Sequence, residues 1–286
     1  MRDQASSLRR LVAGDQPVSL VNPGVPAGHG SARVIAVTSG KGGVGKTMLT
    51  VNLALLLAEL PAGALVVDAD LGLANVDVVL GMEPGRHIGH LLLAGCLPDE
   101  VAATGPGGIK VISGGSGLQE LADASRADRL MLLEKLHSYY ENFDYVLVDT
   151  SPGIGPEVTD FLRGADDLLL VTTPEPTSLR DTYAALKAIT REMPGREVII
   201  VVNCAAPGQA EQAIEALNHV ARKFLERECK RWYHVEQDAL VCRTIRDRKP
   251  LARAYPRSPA AVCLRRLAKA LVRGAPAVRE AAYALA

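Results

Sequence analysis

A glycine-rich segment constrains the fold of this chain more than any other feature. It matches the pattern G-x-x-x-x-G-K-[ST], and its residues are Gly40, Lys41, Gly42, Gly43, Val44, Gly45, Lys46 and Thr47. An apolar run precedes it and a helical pattern follows it, which is the context that the motif requires. Backbone N–H groups and a helix N-terminus then surround phosphates, while Lys46 reaches the β- and γ-phosphates and Thr47 places its hydroxyl on Mg²⁺. The segment predicts a nucleotide-binding α/β fold.

Strand and helix patterns alternate along residues 31–273. Apolar β-branched runs, typical of strands covered on both faces, are Val34–Thr38, Ala64–Val67, Ile109–Ile112, Tyr145–Val148, Leu168–Thr172 and Val198–Val202. Helical segments fit between and after them at Lys46–Glu59, Arg126–Tyr140, Glu157–Gly164, Ser178–Thr190, Gln209–Arg227 and Pro259–Arg273. The order predicts one doubly wound α/β domain with a mostly parallel sheet and helices on both faces.

Composition excludes several classes of protein. With 48% hydrophobic and 22% charged residues, the chain resembles ordinary soluble domains and neither disordered nor disulfide-framework proteins. Its longest apolar runs are far shorter than the roughly 20 residues that span a bilayer. Met1–Leu11 lacks the apolar region of a secretory signal, so we expect a cytoplasmic protein. Five cysteines without a C-x-x-C pair are interpreted as reduced structural thiols.

Charge is distributed unevenly along the chain. Residues 222–286 hold 16 Lys and Arg against 6 Asp and Glu, a net charge of +10, although the whole chain is neutral. Such a basic end is either a set of solvated helix faces or a surface for an anionic membrane, nucleic acid or acidic protein.

Acidic residues follow two of the predicted strands. Asp149 ends the run Tyr145–Val148 and is the expected second acid of the Mg²⁺ site, and the N–H of Gly153 in the next turn is placed to sense a γ-phosphate. Asp68 and Asp70 follow another strand, where Asp70 is a candidate to orient the attacking water. The alternative for both is that they cap the next turn.

Lys41 is a second lysine inside the phosphate-binding segment. One lysine suffices for the phosphates of its own loop, whereas Lys41 is placed to reach the nucleotide of a partner subunit. A cation supplied by a partner stabilises the charge that develops in phosphoryl transfer.

These residues together carry a resemblance to a known family. The run Thr38–Thr47 resembles the deviant Walker A box of the MinD/ParA ATPases, with Lys41 at the position of their signature lysine. Within that family, several segments resemble the FlhG/FleN group of flagellar-number regulators: Asp68–Gly81, Ser116–Gln119, Thr172–Ser178 and Ala254–Ser258. The start of the chain is similar to the D-Q-A-x-x-L-R segment with which that group stimulates the GTPase FlhF, through Asp3, Gln4, Ala5, Leu8 and Arg9.

The resemblance implies an ATP- and Mg²⁺-dependent cycle in which ATP joins two subunits across their phosphate loops and hydrolysis releases them. Lys41, Lys46 and Asp70 would carry the reaction, and Asn203 would hydrogen-bond the adenine. Met48, counted with the nucleotide-contacting segment, stands where relatives have a small polar residue. The residues after Asn203, Cys204–Pro207, also depart from the polar run expected there. The implied partners are FlhF and, for some members, a flagellar transcriptional activator.

The chain therefore divides into three predicted parts. Residues 1–30 form a partner-binding segment and flexible linker, 31–273 the ATPase domain, and 274–286 a tail with weak membrane affinity. The basic amphipathic pattern of Pro259–Arg273 has two interpretations, a last domain helix packed on the sheet or a helix lying on anionic lipid at the inner face of the cell membrane. Two alternative functions stay open, DNA partition of ParA type and division-site placement of MinD type. The N-terminal match makes DNA the less favoured partner.

Overall fold

The computed structural model describes residues 32–59, 63–115 and 125–273. The strands in these ranges form one eight-stranded sheet in the order β3-β4-β2-β5-β1-β6-β7-β8. Their bounds are β1 Arg33–Ser39, β2 Ala64–Ala69, β3 Ala103–Thr104, β4 Lys110–Ile112, β5 Tyr145–Thr150, β6 Asp167–Thr172, β7 Val198–Asn203 and β8 Trp232–Val235. Neighbouring strands are parallel except for β3 and β4, which are antiparallel.

Helices connect and cover these strands. Their bounds are α1 Lys46–Ala58, α2 Val76–Leu80, α3 Gly89–Leu93, α4 Pro98–Val101, α5 Arg126–Tyr140, α6 Pro156–Arg163, α7 Pro176–Glu192, α8 Pro207–Leu225, α9 Ala239–Arg246, α10 Leu251–Ala254 and α11 Pro259–Arg273. A short 3₁₀ turn at Pro106–Gly108 precedes β4.

The sheet separates two hydrophobic clusters. On one face, side chains of α5, α6, α7 and α8 pack against β1, β5 and β6; on the other, α1, α2, α10 and α11 do so. The central strands are buried on both faces, which explains their unbroken apolar sequences. The predicted doubly wound architecture is confirmed.

All six predicted strands and all six predicted helices are present, with their ends within about three residues of expectation. The elements missed were β3, β8 and the short helices α2, α3, α4, α9 and α10. Each of them is too short for a periodic pattern to emerge, since helical periodicity is read over about 11 residues or more, α9 has eight residues and β3 has two.

Helix α11 packs on the sheet. Leu264, Leu267 and Leu271 are fully buried in the cluster that contains α1, and Arg265 bonds Glu59 across that contact at 2.5 Å. The apolar face that a membrane-bound helix would need is used by the core, so the first of the two interpretations holds. Across the described ranges, every helix is too short or too polar to cross a membrane.

Three predicted features lie outside the described residues. They are the N-terminal segment with Asp3, Gln4, Ala5, Leu8 and Arg9, the Ser116–Gln119 motif, and the tail 274–286.

Candidate nucleotide-binding site

The phosphate-binding segment connects the end of β1 to the start of α1, and two of its glycines are required by close packing. A Cβ on Gly40 would lie 2.1 Å from the backbone oxygen of Asp181 in α7. Gly45 has φ +93°, and a Cβ there would lie 2.4 Å from Nδ2 of Asn203. The segment can follow this path only with glycine at both positions.

The N-terminus of α1 is arranged to receive an anion. Its first turn, Lys46-Thr47-Met48, carries no acidic residue, and Gly45 at its N-cap provides no side-chain bond. The positive end of the helix dipole is therefore left uncompensated by the helix itself.

Two side chains hold the segment from below. Ser39 donates its hydroxyl to the backbone oxygen of Lys41 at 2.7 Å, and the Asn203 amide donates to the backbone oxygen of Val44 at 2.8 Å. Asn203 is buried at the end of β7, and Val44 is buried in the core. The loop is thus braced from a strand two positions along the sheet from β1.

The predicted metal residues lie together. Thr47 and Thr50 both hydrogen-bond the buried carboxylate of Asp149, with Thr50 Oγ1 3.2 Å from its Oδ1. Burial raises the pKa of Asp149 to about 6, opposed by these hydroxyls and by Lys46. A hydroxyl beside a carboxylate is an oxygen donor set that fits Mg²⁺, which favours oxygen ligands and offsets the cost of a buried negative charge.

Lys46 is 8% exposed between two carboxylates. Burial lowers its pKa, while Asp149 and Asp70 raise it. The two carboxylates therefore favour the charged form of Lys46 against the cost of its burial.

The two acids after β2 have different roles. Asp68 is buried and accepts backbone N–H bonds from Asp70, Asn75 and Val76 at 3.0 to 3.1 Å, so it caps α2 and shapes the loop before it. Asp70 is partly exposed and accepts the Ser151 hydroxyl at 3.0 Å. Asp68 therefore follows the capping alternative. Asp70 also caps the next turn, because its Oδ1 accepts the backbone N–H of Leu73 at 3.3 Å, but it is the one of the two that is accessible to a water molecule.

Gly153 is engaged within the protein. Its N–H donates to the backbone oxygen of Ser39 at 2.8 Å, and its φ is +103°. Contact between this N–H and a γ-phosphate therefore requires the turn after β5 to move away from β1.

Lys41 points away from its own loop. Its ammonium lies 3.5 Å from Glu175 Oε2 and 3.3 Å from Thr177 Oγ1, and its side chain is 41% exposed. Both partners belong to the segment that begins α7, at the surface. This position leaves Lys46 as the lysine of the loop's own phosphate site.

Two further predicted site residues, Met48 and Asn203, contact other parts of the protein. The Met48 side chain packs in the core with 6% exposure, and Asn203 uses its amide donor on the loop. Their assignments to phosphate and adenine stay predictions. Sequence reasoning missed Thr50, Ser151 and Glu175 as partners of site residues. Two of them had a signal: Ser151 lies in the turn that follows Asp149, and Glu175 lies in the segment Thr172–Ser178 that carries the family resemblance.

Comparison with known proteins identifies a family whose members are similar to this chain. The model of the ParA family, described as NUBPL iron-transfer P-loop NTPase, matches residues 30–272. The chain is 36% identical over 238 residues to the antiactivator FleN of Pseudomonas aeruginosa, covering 83% of this chain and 85% of FleN. It is 33% identical over 258 residues to the flagellum site-determining protein YlxH of Helicobacter pylori, covering 90% of this chain and 85% of YlxH.

A solved structure has the same fold. The cell division ATPase MinD of Pyrococcus furiosus matches with a TM-score of 0.72 and 24% identity, covering 85% of this chain and all of that one. The geometry and the family match lead to the same conclusion. The geometry consists of the loop between β1 and α1 and the acids at the ends of β2 and β5, and the family match covers most of the sequence. This chain belongs to the ParA/MinD family of P-loop NTPases, among relatives that include FleN and YlxH.

Proposed function

We propose that the chain is an ATP-hydrolysing switch of the FlhG/FleN type, which dimerises with ATP and regulates the number or placement of flagella through partner proteins. The observation that carries the proposal is the different placement of two lysines of one loop. Lys46 is buried among the carboxylates of the phosphate site, whereas Lys41 lies at the surface beside Glu175.

ATP is the expected substrate. The backbone of residues 40–47 and the uncompensated N-terminus of α1 would hold its phosphates, with Lys46 on the β- and γ-phosphates. Thr47 and Asp149 would hold Mg²⁺, which when bound neutralises charge on these phosphates.

Asp70 would position the attacking water. Its carboxylate is partly exposed, lies within electrostatic range of Lys46 and is oriented by the Ser151 hydroxyl. We expect slow turnover in isolation, since the motif assigns lysines and no arginine to the transferred phosphate; a missing arginine finger is worth roughly 10³–10⁵ in related reactions.

Lys41 would act across a dimer. Its exposed ammonium is available to the phosphates of a second copy docked face to face, and hydrolysis would remove the charge that holds the two copies together. The surface formed by the dimer would therefore exist only while ATP is bound.

The flagellar role is supported by the relatives. FleN is an antiactivator and YlxH a flagellum site-determining protein, and both align over more than four fifths of this chain. We infer a cytoplasmic protein whose N-terminal Asp3–Arg9 segment stimulates an FlhF-type GTPase and whose ATP dimer contacts a flagellar transcriptional activator. Contact of the tail 274–286 with an anionic membrane belongs to the same proposal.

Light scattering coupled to size-exclusion chromatography tests the switch. Asp70→Ala should be a monomer with ADP and a dimer with ATP, and the double variant Lys41→Ala/Asp70→Ala should bind ATP and stay a monomer. If Asp70→Ala binds ATP without dimerising, the switch is wrong and an ordinary P-loop enzyme takes its place.

The flagellar partner needs a separate experiment. A peptide of residues 1–12 should raise the GTPase rate of the FlhF from the same organism, whereas a peptide of the same composition in scrambled order should not. Equal rates with both peptides at saturation would contradict the FlhG/FleN assignment and leave the ATP switch intact.

A further inference from the structure

Three different metal-binding side chains meet at the edge of the sheet, away from the phosphate loop. His234 lies in the edge strand β8, Glu236 directly follows that strand, and Cys263 lies in α11, which packs against it. One ligand atom from each, an imidazole nitrogen, a carboxylate oxygen and the Cys263 sulfur, lie within 4.8 Å of one another. We propose that His234, Glu236 and Cys263 form a binding site for Zn²⁺ that fastens β8 to α11.

The donor set selects the class of metal. Nitrogen, oxygen and sulfur donors together are typical of Zn²⁺, with metal–ligand distances of about 2.0 to 2.3 Å, so three ligands around one ion lie within roughly 4 Å of each other. Mg²⁺ and Ca²⁺ favour oxygen alone. Three protein ligands leave a fourth position for water.

Hydrogen bonds hold the backbone near the ligands, so only side-chain movement is needed to bring their ligand atoms from within 4.8 Å to within roughly 4 Å of one another. Asp238 accepts the N–H of Leu240 at 2.9 Å and the N–H of Ala260 at 3.3 Å, so the turn that carries Glu236 is tied to the starts of both α9 and α11. Cys263 is one turn further along α11 and 4% exposed. Little chain entropy is then lost on binding, which favours affinity.

Charge in the site balances when the metal is bound. His234 ligates a metal through its neutral imidazole and adds no charge to the site. Glu236 and the Cys263 thiolate together neutralise a divalent ion, and the further charges near His234, Arg266 and Glu211, oppose each other. The thiol gives up its proton on binding, as ligating cysteines do.

A nucleophilic role for the cysteine fits the same residues less well. Reactive cysteines have a lowered pKa and open access, whereas burial raises the pKa of Cys263 and covers its side chain. A buried thiol beside an imidazole and a carboxylate suits a metal ligand.

The site would steady the strand behind the phosphate loop. In the sheet register Val235 pairs with Asn203, the residue that braces the loop through Val44. Zn²⁺ at about 100 times its dissociation constant should raise the thermal midpoint by roughly 5 °C for a domain of this size.

Cobalt titration of the metal-free full chain tests the proposal, because a cobalt–thiolate bond gives an ultraviolet charge-transfer band. We expect one equivalent of Co²⁺ to produce this band, Zn²⁺ to abolish it, and Cys263→Ser to lack it. Glu236→Gln should keep the band with affinity at least tenfold weaker.

Matched controls come from the exposed cysteines. Cys204→Ser and Cys242→Ser should keep the band and the rise in thermal midpoint. The proposal fails if the parent binds no stoichiometric Co²⁺, if Cys263→Ser keeps the band, or if only the exposed-cysteine variants lose it. ATP binding checks that each variant folds. If Cys263→Ser does not fold, the His234→Gln variant, at a half-buried position, takes its place as the test of the site.

Discussion

The side-chain amide of Asn203 donates a hydrogen bond to the backbone oxygen of Val44, 159 residues earlier in the chain, at 2.8 Å. The bond joins the end of β7 to the phosphate loop, and it runs beside Gly45, where a Cβ would collide with the same amide. Asn203 and Val44 are both buried. A residue expected to contact adenine is therefore first a support of the loop.

Removing this support should weaken both the fold and nucleotide binding. Asn203→Ala leaves the Val44 oxygen without its donor, at a cost of about 1–3 kcal/mol in the free energy of unfolding, measured by urea denaturation without nucleotide. The loop must then be ordered on binding, so ATP affinity should fall about tenfold or more.

Asn218 provides the control for Asn203. It is similarly buried and holds the backbone of Cys229 through two hydrogen bonds, away from the loop. Asn218→Ala should lower the stability by a comparable amount and leave ATP affinity unchanged. If Asn203→Ala loses affinity at full stability, adenine contact and not support is its role.

Features that depend on local sequence were predictable, and features that depend on contacts between distant residues were not. The strand cores were predictable since covered strands give continuous apolar runs, and the loop was predictable from its fixed spacing. Strand β8, Trp232–Val235, has four residues and no alternation, and was missed. The short helix α2 is shaped largely by Asp68, whose bonds to Asn75 and Val76 become visible only in three dimensions.

The same distinction applies to the site. Asp149 and Asp70 were found because parallel strands end at one edge of the sheet, so an acid after such a strand lies near the loop. Asn203 was named as a site residue, but its contact with Val44 and that of Glu175 with Lys41 were not predicted, because the partners lie 159 and 134 residues apart in sequence. Single-sequence patterns carry no information about pairing at such a distance.

Asp70 should be required for hydrolysis and dispensable for binding. Asp70→Ala should bind ATP with near-parent affinity and hydrolyse it roughly a hundredfold or more slowly, as expected on loss of a group that positions the water. Phosphate release under single-turnover conditions measures this step. Asp77→Ala is the control, since Asp77 contacts Ser113 and should leave the rate unchanged. Parent-rate hydrolysis by Asp70→Ala would exclude this role.

Glu175 should restrain the dimer by holding Lys41. The pair is exposed, so its removal in Glu175→Gln should tighten ATP-dependent dimerisation by no more than about fivefold, with the difference shrinking at high salt. Sedimentation of the Asp70→Ala background with ATP measures it. Glu192→Gln, which breaks a similar pair with Arg163 at the other end of α7, should have no effect. Weaker dimerisation of Glu175→Gln would show that Glu175 itself belongs to the interface.

Asp68 and Asp149 occupy the same register position on the paired strands β2 and β5. Burial and their mutual repulsion raise the pKa of Asp68 to about 8, against three backbone N–H bonds that lower it. An unfolded chain releases this proton near pH 4. Between about pH 4 and pH 8 the folded protein therefore binds more protons than the unfolded chain, and its stability falls as the pH rises.

Urea denaturation of the nucleotide-free protein in a chelating buffer, at pH 5 to pH 8.5, measures this dependence. The free energy of unfolding should decline by up to about 1.4 kcal/mol per pH unit for the proton on Asp68. Asp68→Asn cannot bind that proton, so its decline should be shallower by up to this amount, whichever other groups titrate in the same range. Parallel curves for parent and variant would mean that the three N–H donors keep Asp68 ionised throughout, and that its contribution to the α2 cap is electrostatic.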